Sequence, residues 1–141
     1  MIVAPTRQGY LLDWRQTIII DQQQPLGSGF GAATTTADVL DGIDLTGRLA
    51  VVTGGHSGLG LETTKALAAA GAEIIVAARD TARAEEALHD LPTVTVVPLD
   101  LSDLVSVSAF ADRMLADPRH IDLLVNNAGI MACPEKRVGP G

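Results

Sequence analysis

From Leu49 onward the apolar residues fall into short blocks that alternate between two periodicities. Leu49 to Thr53, Glu73 to Ala78, Val94 to Pro98 and Ile121 to Val125 are brief runs rich in Val, Ile and Leu, the pattern of strands buried on both faces. Helical spacing fills the gaps. Gly58 to Ala70 reads as a helix closed by Gly71, and Thr81 to Asp90 as a helix with Asp80 or Thr81 at its N-cap. Ser102 reads as the cap of a helix reaching about Ala116, with Leu104, Val107, Phe110, Ala111 and Met114 along one face and Pro118 as its stop. Alternation at this spacing predicts successive βαβ units. The expected fold class is α/β, with a parallel sheet of about four strands.

Upstream the pattern changes. Residues 1–43 read as a partly irregular arm, with Gln22-Gln23-Gln24-Pro25, Gly27-Ser28-Gly29-Phe30-Gly31 and Thr34-Thr35-Thr36, and a short helix from Thr36 to Leu40. Residues 44–133 form the αβ half-domain, and 134–141 a tail. The Gly27–Gly31 stretch superficially resembles a phosphate loop, but it neither follows a strand nor opens a long helix. We read it as a turn. The first twenty residues, with Tyr10 and Trp14, show no periodicity and stay unassigned.

The chain of 141 residues is 47% hydrophobic and only 3% aromatic, which suits small-residue helices packed on parallel strands. A formal charge of −7 argues against nucleic-acid and anionic-membrane partners. Ile18 to Ile20 is too short to cross a bilayer, and no signal-peptide core is present, so a cytoplasmic location is expected. The single cysteine, Cys133, cannot form an internal disulfide, and His56, His89 and His120 lack ligand spacing. No metal is expected.

Three motifs carry chemistry. Thr53-Gly54-Gly55-His56-Ser57-Gly58-Leu59-Gly60 joins the first strand to the first long helix. A helix start has unpaired N–H groups and the positive end of the macrodipole, so a Gly-rich approach to it suits a pyrophosphate. The second strand ends Ala77-Ala78-Arg79-Asp80, where dinucleotide folds place an acid for a ribose 2′-OH or an Arg for a 2′-phosphate. Arg79 offers a guanidinium for the phosphate, unless it is paired with Asp80 or solvent. Asn126-Asn127-Ala128-Gly129 follows the fourth strand, where small residues allow a ligand to approach the crevice.

Together these motifs resemble the short-chain dehydrogenase/reductase family over about residues 44–133. The Gly motif and Asn126-Asn127-Ala128-Gly129 match its two signatures. Asp100-Leu101 resembles the pair that contacts adenine. Met131-Ala132-Cys133-Pro134 and Gly54-Gly55-x-Ser57-Gly58 are similar to its retinol-dehydrogenase-like branch, and Pro25 to Leu45 to a leader found on some members. The resemblance implies a Rossmann-type doubly wound parallel sheet, truncated to about four strands in the order 3-2-1-4, an oxidoreductase and a nicotinamide dinucleotide. It assigns the cofactor to Gly54, Ser57, Gly58, Leu59, Gly60, Arg79, Asp100, Leu101, Asn127, Ala128 and Gly129. Arg after a non-acidic strand end implies NADP(H) over NAD(H), which stays possible.

The resemblance also implies a catalytic Tyr, a Lys four residues later that lowers its pKa, a Ser and an Asn. This sequence has one tyrosine, Tyr10, ahead of the Gly motif, and its lysines are Lys65 and Lys136. It holds no Tyr-x-x-x-Lys, so no catalytic residue is assigned. The expected reading is the cofactor-binding half of an NADP(H)-dependent oxidoreductase; the alternative is a truncated, non-catalytic nucleotide-binding fragment. Strand Ile121–Val125 would then be an apolar edge open to self-association or to a separate catalytic chain. A methyltransferase is disfavoured by Arg79 at the ribose position.

Overall fold

The computed structural model describes residues 27–130. Readings placed on Tyr10, Trp14, Met131 to Pro134 and Lys136 lie outside the described residues. The chain divides into two units between Ala33 and Thr34. In the first, Gly27 to Ala33 forms neither helix nor strand, and the Phe30 amide donates to Ser28 Oγ.

The second unit runs α1 (Thr36–Leu40), β1 (Leu49–Thr53), α2 (Gly58–Ala69), β2 (Glu73–Ala78), α3 (Thr81–Leu88), β3 (Val94–Pro98), α4 (Leu104–Ala116) and β4 (Ile121–Val125). The sheet is parallel, as the alternation predicts, and its order β3-β2-β1-β4 is the one the resemblance implies. β1 is buried throughout and β2 at every residue after Glu73, because each has a strand on either side and helices above and below.

The pleat sorts side chains by parity. Ala50, Val52, Ile74, Val76 and Ala78 pack with Leu67 of α2 and with Ala84 and Leu88 of α3. Leu49, Val51, Ile75 and Val97 face the other way, against Phe110 and Met114 of α4. Helices therefore cover both faces, the doubly wound arrangement. The return from α4 to β4 carries the chain across β3, β2 and β1, so its direction of travel across the sheet reverses between β1 and β4.

Local chemistry sets the helix ends. At the end of α2, the Ala72 amide donates to Leu67 O and Gly71 N to Ala68 O, with Gly71 at φ +95° and Leu67 and Ala72 both buried. Thr35 and Asp38 form a reciprocal capping box on α1. Asp80, rather than Thr81, caps α3 by accepting from Arg83 N.

Two helix ends and one helix face differ from expectation. α3 stops at Leu88, where the Leu91 amide bonds back to the Leu88 carbonyl. The cap of α4 is Asp103, which accepts from Val105 N, because the Ser102 hydroxyl is bound to Asp100 Oδ1. The expected apolar face of α4 is only partly used. Phe110 and Met114 pack, while Leu104 is 70% exposed and Ala111 is exposed, since α4 lies against β3 and leaves β4 bare. Leu124 (61% exposed) and Ile121 (43%) stand on that uncovered face.

The β1–β4 ladder shifts register between Leu49 and Ala50, and Asp122 falls at the irregularity. Its Oδ2 accepts from the Leu49 amide at 2.9 Å and its Oδ1 from Arg48 at 2.7 Å, replacing ladder bonds lost there. These two donors hold the Asp122 carboxyl below its ordinary value of 3.8, the amide contributing most. A depressed folded pKa adds stability that is complete above the ordinary value and is lost as pH falls through the folded one. Thermal melts from about pH 5 down to about pH 3 are therefore expected to show a shallower loss of stability for Asp122→Asn than for wild type. Parallel slopes would remove Asp122 from the acid response.

Candidate functional site

All four strands end on one edge of the sheet, so the loops after Thr53, Ala78, Pro98 and Val125 gather there. The Gly turn and the segment Asn126–Gly129 flank the reversal point between β1 and β4. In open α/β sheets that crevice, beyond the carboxyl ends, is where ligands bind. Each residue assigned to the cofactor by sequence lies in one of these four loops or in the first turn of α2.

Thr53 is the joint between the two halves of the crevice. It is 6% exposed, and its Oγ1 accepts from Asn127 N and Ala128 N, each at 3.0 Å. The hydroxyl points its own proton towards Val125 O at 3.4 Å. Asn127 returns the link, donating Nδ2 to Thr53 O at 3.0 Å and Gly54 O at 3.3 Å. The Asn127 amide group therefore braces the turn, leaving Oδ1 as its group available to a ligand.

The glycines keep this assembly tight. A Cβ on Gly60 would sit 2.4 Å from Asn127 Nδ2 and 2.6 Å from Gly54 O, and one on Gly54 would sit 3.3 Å from Ala128 Cβ. Helix α2 consequently starts directly beneath the turn. Ser57, at its N-cap, is exposed and makes no capping bond, so its hydroxyl takes none of the first N–H groups of the helix. Leu59 is 84% exposed beside it. His56 Nδ1 is buried without a partner among the described residues.

Around the rim, Arg79 is exposed. Asp80 is occupied in capping α3, and Arg79 makes no ion pair among the described residues. At the opposite, amino edge of the sheet the cations are neutralised: Arg48 pairs with Asp122, and Arg119 with Glu73 and Asp117. The Arg119 guanidinium pulls the Asp117 carboxyl down to about 2. A guanidinium with no ion pair among the described residues thus stands at the carboxyl edge.

Asp100 Oδ1 accepts from the Ser102 hydroxyl at 2.6 Å and the Ser102 amide at 2.9 Å, and Ser106 Oγ accepts from Asp100 N. The hydroxyl, then the amide, hold its carboxyl below the usual range, and the charge of Arg79 adds to them. Leu101 next to it is 54% exposed, while Ala128 and Gly129 lie exposed beyond β4. Sequence reasoning gave no site role to Thr53, Thr64 or Ser106, and read Ser102 only as a helix cap. The hydroxyls of Thr53 and Ser106 accept from loop amides and that of Ser102 donates to the Asp100 carboxylate, and no spacing rule marks such contacts in advance.

Comparison with known proteins matches the geometry. Residues 48–139 fit the family model described as short chain dehydrogenase. The chain belongs to the short-chain dehydrogenase/reductase family. Retinol dehydrogenase 11 of Mus musculus is 42% identical over 105 residues, covering 70% of this chain and 33% of that protein. The solved Pseudomonas aeruginosa RhlG/NADP active-site complex is 33% identical with a TM-score of 0.58, over 62% of this chain and 37% of that one. The 3-ketoacyl-(acyl-carrier-protein) reductase from Brucella melitensis, complexed with NADH, is 35% identical with a TM-score of 0.56, over 62% and 36%. The resemblance to the retinol-dehydrogenase-like branch and the Rossmann-type sheet both hold. The chain spans about a third of the length of the curated relatives it matches. Among the described residues, no helix is long and apolar enough to cross a membrane.

Proposed function

We propose that this chain binds NADP(H) in preference to NAD(H), as the cofactor-binding part of an oxidoreductase that transfers hydride between NADP(H) and an alcohol or carbonyl compound. Arg79 carries this reading. It replaces the acid that would bond a ribose 2′-OH, and it has no ion-pair partner among the described residues, leaving its fork free for a 2′-phosphate.

The rest of the edge fits the same ligand. The start of α2 offers N–H groups to a pyrophosphate, and the open space beside Gly58 leaves room for it. Asp100 and Leu101 stand where an adenine ring would lie, Asp100 ionised and held by Ser102. Ser57, Leu59, Ala128 and Gly129 complete the rim. When bound, the nicotinamide supplies the hydride; the residues of this chain bind and orient the dinucleotide. The 141 residues hold no Tyr-x-x-x-Lys, so the proton-transfer residues expected from the family are not assigned within them. The open edge of β4 is where a further strand would pair, including one from a second copy, beside the uncovered face that carries Leu124 and Ile121.

Fluorescence titration with NADPH and NADH tests the assignment. Arg79→Ala is expected to weaken NADPH binding by about 10- to 100-fold, the effect of a charge-assisted bidentate pair, while NADH affinity stays within about twofold. Equal loss for both cofactors would overturn the role of Arg79.

A further inference from the structure

The underside of the Gly turn contains a buried hydroxyl with no hydrogen-bond partner. Thr64, on the second turn of α2, is 0% exposed, and its Oγ1 is unpartnered among the described residues. Such an atom is a liability in a packed interior unless its shape or polarity serves something else. Its location suggests what that is. A Cβ placed on Gly55 would lie 2.5 Å from Thr64 Oγ1, 3.0 Å from Val76 Cγ2 and 3.1 Å from Val52 Cγ1. The hydroxyl therefore occupies the space that a side chain at residue 55 would need, and with the two valines it forms a three-point seat for the turn.

We propose that Thr64 is a positioning residue for the dinucleotide cradle: its hydroxyl substitutes for a missing side chain at position 55 and sets the height of the Gly54–Gly58 backbone over the sheet. This rests on the reading of the turn as a dinucleotide site. The physical argument is one of volume. Val52 and Val76 belong to the two central strands and are 0% exposed, so they cannot move up to fill a gap. Removing the hydroxyl leaves the turn free to sag towards β1. Adding a methyl at residue 55 while the hydroxyl stays lifts it. Either displacement misaligns the start of α2 with a pyrophosphate. Making both changes together exchanges one group for another in the same space.

The prediction is a coupled pair, read by a double-mutant cycle on the full chain. Thr64→Ala and Gly55→Ala are each expected to weaken NADPH binding by about tenfold or more, and the double variant to recover to within about threefold of wild type. Thr64→Ser keeps the hydroxyl and should bind as wild type does. Amide NMR resonances of Gly54 and Gly58 should shift in both single variants and return towards wild type in the double. A purely structural role would lower the melting temperature and the affinity together and would give additive effects. A double variant at the sum of its parts, or Thr64→Ser failing as badly as Thr64→Ala, would overturn the proposal. Should wild type bind neither NADPH nor NADH, the functional reading fails, and the glycine resonances alone decide whether Thr64 seats the turn.

Discussion

Gly60→Ala is expected to abolish dinucleotide binding and to lower the unfolding free energy by ~2–4 kcal/mol, the range for overpacking combined with broken buried hydrogen bonds. Propensity alone argues the other way, because alanine in a helix is favoured over glycine by about 1 kcal/mol. The contacts decide the sign. The new methyl would meet Asn127 Nδ2 at 2.4 Å and Gly54 O at 2.6 Å. Neither can retreat freely: Nδ2 is tied to Thr53 O and Gly54 O, and the second obstacle is backbone. Helix α2 must tilt away or the brace from β4 must break, and either opens the crevice between β1 and β4. Gly58→Ala supplies the contrast. Nothing lies within 4 Å of its prospective Cβ, but its φ is +54°, so only backbone strain of about 1–2 kcal/mol is expected. Urea unfolding of both variants separates the two mechanisms. A Gly60→Ala protein as stable as Gly58→Ala would show that the close approach is not a constraint.

That contrast also shows what was legible in the sequence. The motif marks Gly58 and Gly60 alike, and their different reasons for being glycine emerge only once Asn127 is seen above α2. Strand positions were readable because β1 and β2 are buried on both faces, so their apolar runs are unbroken. Helix α4 misled for the same physical reason in reverse. Its apolar periodicity implies a broad buried face, yet it packs on β3 through Phe110 and Met114 while Leu104 and Val105 stay exposed. A periodicity records which residues can be covered, and the neighbouring element decides which are. The place of Arg79, exposed at the end of β2, was readable from position alone. Asn127 was named only through the family motif, and its side chain braces the turn, a contact that depends on a strand 74 residues away.

Hydroxyls were the least legible class, because they act through backbone groups distant in sequence, and Thr53 is the strongest case. Thr53→Val is isosteric and apolar, so a strand propensity scale would favour it. It is nevertheless expected to cost ~2–4 kcal/mol, because the amides of Asn127 and Ala128 lose their shared acceptor. Thr53→Ser keeps the acceptor and loses only a buried methyl, a change worth about 1 kcal/mol. Hydrogen exchange distinguishes hydrogen bonding from packing. Faster exchange at Asn127 and Ala128 is expected in the valine variant and near-native rates in the serine variant. Equal destabilisation by both, with unchanged exchange, would mean that the methyl and not the hydroxyl holds β4 to the turn. If the hydroxyl holds it, Thr53 couples the two halves of the crevice: any movement of β4 reaches the Gly turn through one oxygen, and occupancy of the turn should in turn slow exchange at Asn127 and Ala128.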